Sequence, residues 1–137
     1  MASETILAAS AARTASASGS AEFVGQFWRR LLVVLDITAS ASLAGDTLDV
    51  YVDVSPDGIK WVNAVHFAQQ AGNGAAKTET AILNPSDPGT STVATTSDAA
   101  AGAVRPAVFG KYTRARWAIV NGGGTHSHTF SVKAYRQ

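Results

Sequence analysis

The sequence predicts an all-β protein, a single antiparallel β-sandwich of the jelly-roll type with an extended N-terminal arm. Three observations predict this class. Apolar and polar residues alternate with a period of two in four segments, Gly, Pro, Asp and Asn mark the turns, and no segment requires a helical period. The chain has 137 residues and no cysteine, so it is long enough for one domain that is stabilised by packing rather than by disulfides.

The N-terminal residues differ from the rest of the chain. Residues 1–21 are small and tolerate extended backbone, so we interpret them as an arm that contributes at most a short edge strand, followed by the sandwich domain, residues 22–137. Residues 30–39 have an aliphatic side chain at every second position. The intervening positions include Leu32 and Val34, so the pattern predicts a central strand that is buried on one face and partly covered on the other.

A second strand and a hairpin follow. In residues 48–54, aliphatic side chains alternate with two aspartates and a tyrosine, the pattern of a strand with one face in water. Residues 55–58 (SPDG) favour a tight turn, because Pro presets φ, Asp bonds to the backbone and Gly accepts positive φ. We predict the return strand over residues 59–67.

Residues 69–107 are mostly small or polar. Only residues 77–83 (KTETAIL) have a strand pattern, with a weaker one at 91–96, so we interpret the remainder as a long loop. Such a loop either grips a ligand or a neighbouring subunit or is merely mobile. A jelly roll accommodates this excursion between paired strands. We expect residues 113–119 and 130–134 to close the chain as a second hairpin around a glycine-rich turn.

Charge is distributed unevenly along the chain. Ten carboxylates and five cations occur up to Asp98, whereas six cations and no carboxylate follow it. Acidic and basic strands that lie side by side in one sheet, or that meet across a subunit boundary, would explain this better than a nucleic-acid site. The N-terminus lacks a basic region followed by an apolar run, so we expect no secretory signal, and no apolar run approaches the roughly 20 residues that cross a bilayer.

Motifs of catalysis are absent. The sequence contains no GxSxG, HExxH, Walker A or EF-hand pattern, so we predict no enzyme and no cofactor. His126 and His128 could share a strand face and bind a metal, but a third ligand is missing, and polar residues at a turn, like His66 on a partly wet face, are the simpler interpretation. Asp49 and Asp53 share a face, as acid–base pairs must, but they also have the spacing of any solvated strand face.

The aromatic residues divide into two groups. Those that share the parity of aliphatic neighbours are predicted to be in the core: Trp61, Phe67, Trp117 and Phe130. Those with freer placements could face a ligand or a partner: Trp28, Tyr51, Tyr112 and Tyr135.

Three segments resemble known families. Residues 49–61 (DVYVDVSPDGIKW), 109–120 (FGKYTRARWAIV) and 129–135 (TFSVKAY) resemble small β-sandwich proteins encoded among the head and tail genes of tailed bacteriophages. The same segments resemble discoidin-type jelly rolls, a family that binds glycans or lipid head groups. Both resemblances imply one fold, and they specify architecture better than function.

The resemblance to phage proteins implies a virion structural protein. We expect a capsid decoration or cement protein, or failing that a neck or tail component, which is made in the host cytoplasm and located in the virion. Its partners would be copies of itself, with a trimer as one candidate, and a major capsid or other virion protein, without membrane or nucleic acid. A carbohydrate-binding jelly-roll module is the alternative. The residues that we expect at subunit interfaces are Ile6, Leu7, Tyr51, Arg105, Arg114 and Arg116.

Overall fold

The computed structural model of the protein describes residues 3–25, 29–84, 98–105, 110–122 and 126–137, and the regular structure in these ranges is all β-strand. No helix that could span a membrane occurs in them. The strands in chain order are β1 (Ser3–Arg13), β2 (Ala17–Ser18), β3 (Glu22–Phe23), β4 (Leu31–Ala41), β5 (Thr47–Ser55), β6 (Val62–His66), β7 (Gln70–Ala71), β8 (Lys77–Leu83), β9 (Ala103–Val104), β10 (Tyr112–Val120) and β11 (Ser127–Arg136).

Two antiparallel sheets form the sandwich. The four-stranded sheet has the order β1-β11-β4-β8, and the seven-stranded sheet has the order β2-β10-β5-β6-β9, with β3 also on β10 and β7 on β5. With β2 and β3 counted as one interrupted strand, and the short β7 and β9 as additions, eight principal strands remain. They pair first with last, second with seventh, third with sixth and fourth with fifth. This nested pairing is the predicted jelly roll.

The core lies between the sheets and is filled by the alternating apolar residues. Phe67, Trp117 and Phe130 are buried there as predicted, and the Trp117 and Phe130 rings meet edge to face across the sandwich, with centroids 5.6 Å apart. The aliphatic side chains around them come from both sheets: Leu31, Val33, Leu35 and Ile37 on β4, Leu48, Val50, Val52 and Val54 on β5, and Val132 and Ala134 on β11.

The placement of Trp61 in the core is wrong. Its side chain is only partly buried, and the Arg114 guanidinium lies over its ring. The cause is a bulge in β6: Val65 and Asn63 lie opposite adjacent residues of β5, which leaves Ala64 as the extra residue. A bulge reverses the inward and outward parity of the residues before it, so Trp61 lies with Asn63 on the outer face.

The predicted second hairpin is also wrong. β10 and β11 follow each other in the chain, but β10 lies in the seven-stranded sheet and β11 in the four-stranded sheet. Two strands that face each other across a sandwich show the same alternation as two strands that pair, because each turns one apolar face inward. The alternation alone therefore does not distinguish a hairpin from a crossing between sheets.

The N-terminal residues are extended, as predicted, but they form more than a short addition. β1 is an eleven-residue edge strand that pairs with β11 through two register shifts. It buries Leu7 and Ala8 in the core. At its end the Arg13 guanidinium lies 4.7 Å from the centroid of the Trp117 ring and 4.3 Å from that of Phe130, so it closes this end of the sandwich.

Other predicted elements are confirmed. The SPDG turn joins β5 to β6, with Gly58 at φ +77° and the Asp57 carboxylate accepting hydrogen bonds from the Ile59 and Lys60 amides. Residues 77–83 form β8. The weaker candidate strand, 91–96, and Trp28 lie outside the described residues.

Candidate interaction surfaces

The outer face of the seven-stranded sheet, here called the charged face, brings acidic, basic and aromatic side chains together. It includes Tyr51, Arg114 and Arg116, three of the predicted interface residues, and a fourth, Arg105, lies beside it. The side chains of the charged face are Asp49, Tyr51 and Asp53 on β5, Asn63 and His66 on β6, and Arg114 and Arg116 on β10.

Asp53 is the centre of the charged face. It is 2% exposed and accepts hydrogen bonds from Nε of Arg116 (2.9 Å), Nε of Arg114 (3.2 Å) and Nδ2 of Asn63 (3.1 Å). Burial alone would raise the pKa of Asp53, but the bonds from Arg116, Asn63 and Arg114 outweigh it and hold the pKa below its ordinary value. Acidic and basic strands therefore do lie side by side in one sheet, which was the first of the two explanations for the uneven charge.

Asp49 and His66 are buried, so the expectation of a solvated face is wrong for them. Nε2 of His66 lies 2.8 Å from Oδ1 of Asp49, and Nδ1 lies 2.8 Å from the carbonyl oxygen of Ala99. Because a carbonyl oxygen only accepts, Nδ1 carries a hydrogen. Nε2 of Gln69 donates to the other Asp49 oxygen, at 2.8 Å. Both side chains are thus hydrogen-bonded within the chain.

A segment of the chain, residues 98–105, covers part of the charged face and is here called the strap. The Ala99 amide donates to Oδ1 of Asn63 (2.9 Å), and the Gly102 amide donates to the His66 carbonyl oxygen (2.8 Å). Arg105 donates to the Asn63 carbonyl oxygen (3.1 Å). The strap thus contributes to the burial of His66, and the Arg105 side chain is hydrogen-bonded within the chain.

The aromatic rings of the charged face are stacked on neighbouring side chains. The Tyr51 ring lies between its two cross-strand neighbours, with the His66 ring centroid at 4.2 Å and the Arg116 guanidinium at 4.1 Å. The Arg114 guanidinium lies 4.3 Å from the centroid of the Trp61 ring. Sugar stacking needs a free ring face, and Tyr51 has none.

The outer face of the four-stranded sheet, here called the apolar face, has a different character. Two cross-strand rows run over it, the first containing Ile82, Leu32 and Tyr135, the second containing Val34, Lys133 and Ile6. Ile6 and Ile82 are each 48% exposed. Leu32 and Val34 are the residues whose pattern predicted a partly covered second face, but no described strand packs over them.

The other predicted arm residue lies elsewhere. Leu7 is 3% exposed and packs in the core, so its side chain is not available to a partner, whereas its neighbour Ile6 points outward. Tyr135, which the sequence analysis placed among the aromatic residues that could face a partner, lies on this face. Sequence reasoning missed Ile82, although its parity, opposite to that of the buried Ala81, was a usable signal.

A crevice of about 300 Å³ opens between β8 and the β6–β9 edge, lined by the strap and by apolar residues such as Phe67 and Val104. Its ionisable groups are already bonded. His66 is held as described above, and Glu79 accepts a hydrogen bond from the Ala68 amide (3.0 Å) and pairs with Lys77 (2.6 Å). The described lining therefore has no free charged group that would orient a small polar ligand.

The remaining histidines are also bonded within the chain. His126 contacts the Thr14 carbonyl oxygen at 2.8 Å, and His128 lies on the inner face of β11 with Nδ1 3.0 Å from Oγ of Ser40. In the part of the chain that the structure describes, no group of three or more His, Asp or Glu side chains could hold a metal ion.

Comparisons of the chain with models of known families, with curated proteins and with solved structures find no match.

Proposed function

We propose that the protein is a non-enzymatic structural protein of a bacteriophage virion, a capsid decoration protein that acts through contacts between subunits. The observation that supports the proposal is the apolar face, over which no described strand packs. The phage setting is supported by the resemblance of residues 49–61, 109–120 and 129–135 to tailed-phage β-sandwich proteins, and jelly rolls are common in viral capsid proteins.

The composition of the apolar face suits a second copy of the chain. Isolated apolar residues are normal on a surface, but contiguous ones such as Ile82 and Leu32, with Val34 beside them, mark an interaction site. Glu4 and Lys133 lie 3.6 Å apart within the same face. A face that carries both signs of charge can pack against its own copy without placing like charges opposite each other.

The size of the apolar face favours an assembly with several contacts per subunit. Four strands about 4.8 Å apart, with about seven paired residues of about 3.3 Å each, span about 440 Å². A standard protein interface buries about 800 Å² on each partner. One such contact is therefore weak by itself, and a ring or surface lattice, in which each subunit makes more than one contact, would stabilise it.

The charged face supports a carbohydrate-binding module less well, because both faces of the Tyr51 ring are occupied and Arg114 covers Trp61.

A neck or tail position in the virion would use the same surfaces as a capsid position.

The proposal is tested by the oligomeric state of purified protein and of two single variants. Ile82→Lys places a charge on the apolar face, and Val120→Lys, at a 61% exposed position on β10, is the matched control. In sedimentation experiments we expect an oligomer for the wild type and for Val120→Lys, and a monomer for Ile82→Lys, with all three equally folded in urea titrations. Electron microscopy of labelled protein should show saturable binding to undecorated capsids. A wild-type monomer that ignores capsids and binds a glycan would overturn the proposal.

A further inference from the structure

One end of the sandwich carries several exposed cations. It is the end where β4 and β10 begin and where the β5–β6 turn lies, and it is here called the basic end. Arg29, Arg30, Lys60 and Lys111 are exposed there, and none forms an ion pair with the described residues. They are dispersed in the sequence, so composition along the chain does not reveal them as one surface.

The segments that carry these cations are bonded to one another. The Val24 amide donates to the Lys111 carbonyl oxygen (2.8 Å), and Arg136 donates to the Val24 carbonyl oxygen (3.1 Å). Gln137, next to Arg136, exchanges backbone hydrogen bonds with Arg30. On the other side the Tyr112 ring packs against Gly58, two residues before Lys60, so the four cations belong to one continuous surface.

Apolar side chains are exposed among the cations. Phe23 is 61% exposed and contacts the Tyr112 ring edge to face, with centroids 5.4 Å apart. Ile59, at the tip of the SPDG turn, is 80% exposed. An exposed aromatic ring and an exposed aliphatic side chain beside exposed cations are features of a protein-docking surface, where buried apolar anchors supply affinity and charges supply orientation.

We propose that the basic end docks onto an acidic surface of a partner protein, with Phe23 and Ile59 entering an apolar depression between the acidic groups. The proposal rests on the proposed function, in which this partner is the major capsid protein or another virion protein. A protein fits better than a nucleic acid, because a phosphate backbone offers no apolar surface to Ile59.

The test compares two double variants that change the net charge by the same amount. Lys60→Gln with Lys111→Gln removes two charges from the basic end, and Ala100→Glu with Ala101→Glu adds two acids at exposed positions of the strap. Binding to undecorated capsids is measured by cosedimentation at ionic strengths between about 0.05 and 0.3 M. We expect the lysine variant to bind about tenfold more weakly at low salt and with a shallower salt dependence, and the alanine variant to bind like the wild type.

Ile59→Ser tests the apolar part of the same surface. It should weaken capsid binding at every salt concentration without changing the salt dependence, because it removes apolar contact and no charge. Unchanged capsid binding by the lysine variant and by Ile59→Ser would overturn the inference. If the wild type then still forms the oligomer and binds capsids, the proposed function stands without it. Wild-type binding to a 20-base-pair DNA duplex that the lysine variant loses would also overturn it, in favour of a nucleic-acid partner.

Discussion

At the scale of single residues, the charged side chains of the charged face serve the structure of the protein. Asp53 shows why: its carboxylate is removed from water, a loss that Arg114, Arg116 and Asn63 offset with hydrogen bonds. A buried ion pair of this kind often adds little net stability, but removing one partner leaves the others uncompensated.

Asp53→Asn should lower the free energy of unfolding by about 2 kcal/mol, less than the 3–5 kcal/mol of a fully buried pair, because both arginine side chains are about a quarter exposed. Because folding lowers the pKa of Asp53, its contribution is complete above the ordinary value of 3.8 and is lost as the pH falls below it. Urea titrations at several pH values measure both effects. Asp98→Asn, at a 42% exposed partner of Arg116, is the control and should cost less than about 1 kcal/mol. Equal losses for the two variants would contradict the central role of Asp53.

His128 gives the protein a second pH dependence, of distinct origin. Its side chain is fully buried, and in the described structure Nε2 has no hydrogen-bond partner. Burial lowers the pKa of His128 below its ordinary value of 6.5. The unfolded chain therefore binds the proton more tightly, so stability is complete above pH 6.5 and falls as the pH drops below it.

We expect His128→Gln to flatten the decline of unfolding free energy between about pH 6.5 and 5, whatever its effect on stability at neutral pH. The wild type measured over the same pH range is the reference, and its slope should be the steeper of the two. The measurement is a series of urea titrations across this pH range, and a slope that persists in His128→Gln would contradict the assignment.

At the scale of elements, one connection packs closely against another segment of the chain. The β4–β5 connection is bonded to the segment after β7, since the Gly72 amide donates to the Asp46 carbonyl oxygen (2.8 Å) and the Ser42 amide donates to the Gly72 carbonyl oxygen (3.0 Å). A side chain at position 72 would meet the Leu43 carbonyl oxygen at once, because backbone lies directly against this glycine.

Gly72→Ala should therefore cost about 1–3 kcal/mol, the usual range for overpacking a site that cannot relax. Gly45→Ala is a matched control in the same group of loops, because a Cβ there has nothing within 4 Å, and it should change stability by less than about 0.5 kcal/mol. Thermal or urea unfolding measures the loss of stability in each of the two variants. The prediction fails if both substitutions are tolerated equally.

At the scale of the whole molecule, the first and last strands pair, so the two ends of the chain complete one sheet. Contacts between residues that are distant in sequence form slowly, and domains of this kind fold in milliseconds to seconds. β1 also brings Leu7 into the core and Arg13 over the Trp117 and Phe130 rings, so the sandwich is incomplete without it.

A chain that lacks Ser3–Arg13 should lose most of the 5–15 kcal/mol that is typical of a small domain. Circular dichroism and urea titration would then show no cooperative transition. A synthetic peptide of residues 3–13, added in trans, should restore the transition by pairing with β11, whereas a peptide of scrambled sequence should not. Cooperative unfolding of the truncated chain at the wild-type urea concentration would show that β1 is dispensable.

The positions of the main strands, the SPDG turn and most of the core were determined by the sequence alone. Alternation of apolar and polar residues is a local property, and it specifies which residues of a strand turn inward. The same alternation predicted the second apolar surface of β4 from Leu32 and Val34, which became the apolar face.

Only the tertiary structure decided which strands pair and which face each other, because both arrangements give the same alternation, as β10 and β11 show. It also decided the orientation of Trp61, which a single extra residue at Ala64 reverses. The strap, some 30 to 40 residues further along the chain, bonds to the buried His66, and the basic end gathers cations from three separate segments. Contacts between distant residues depend on how the whole chain packs, and no local pattern specifies them.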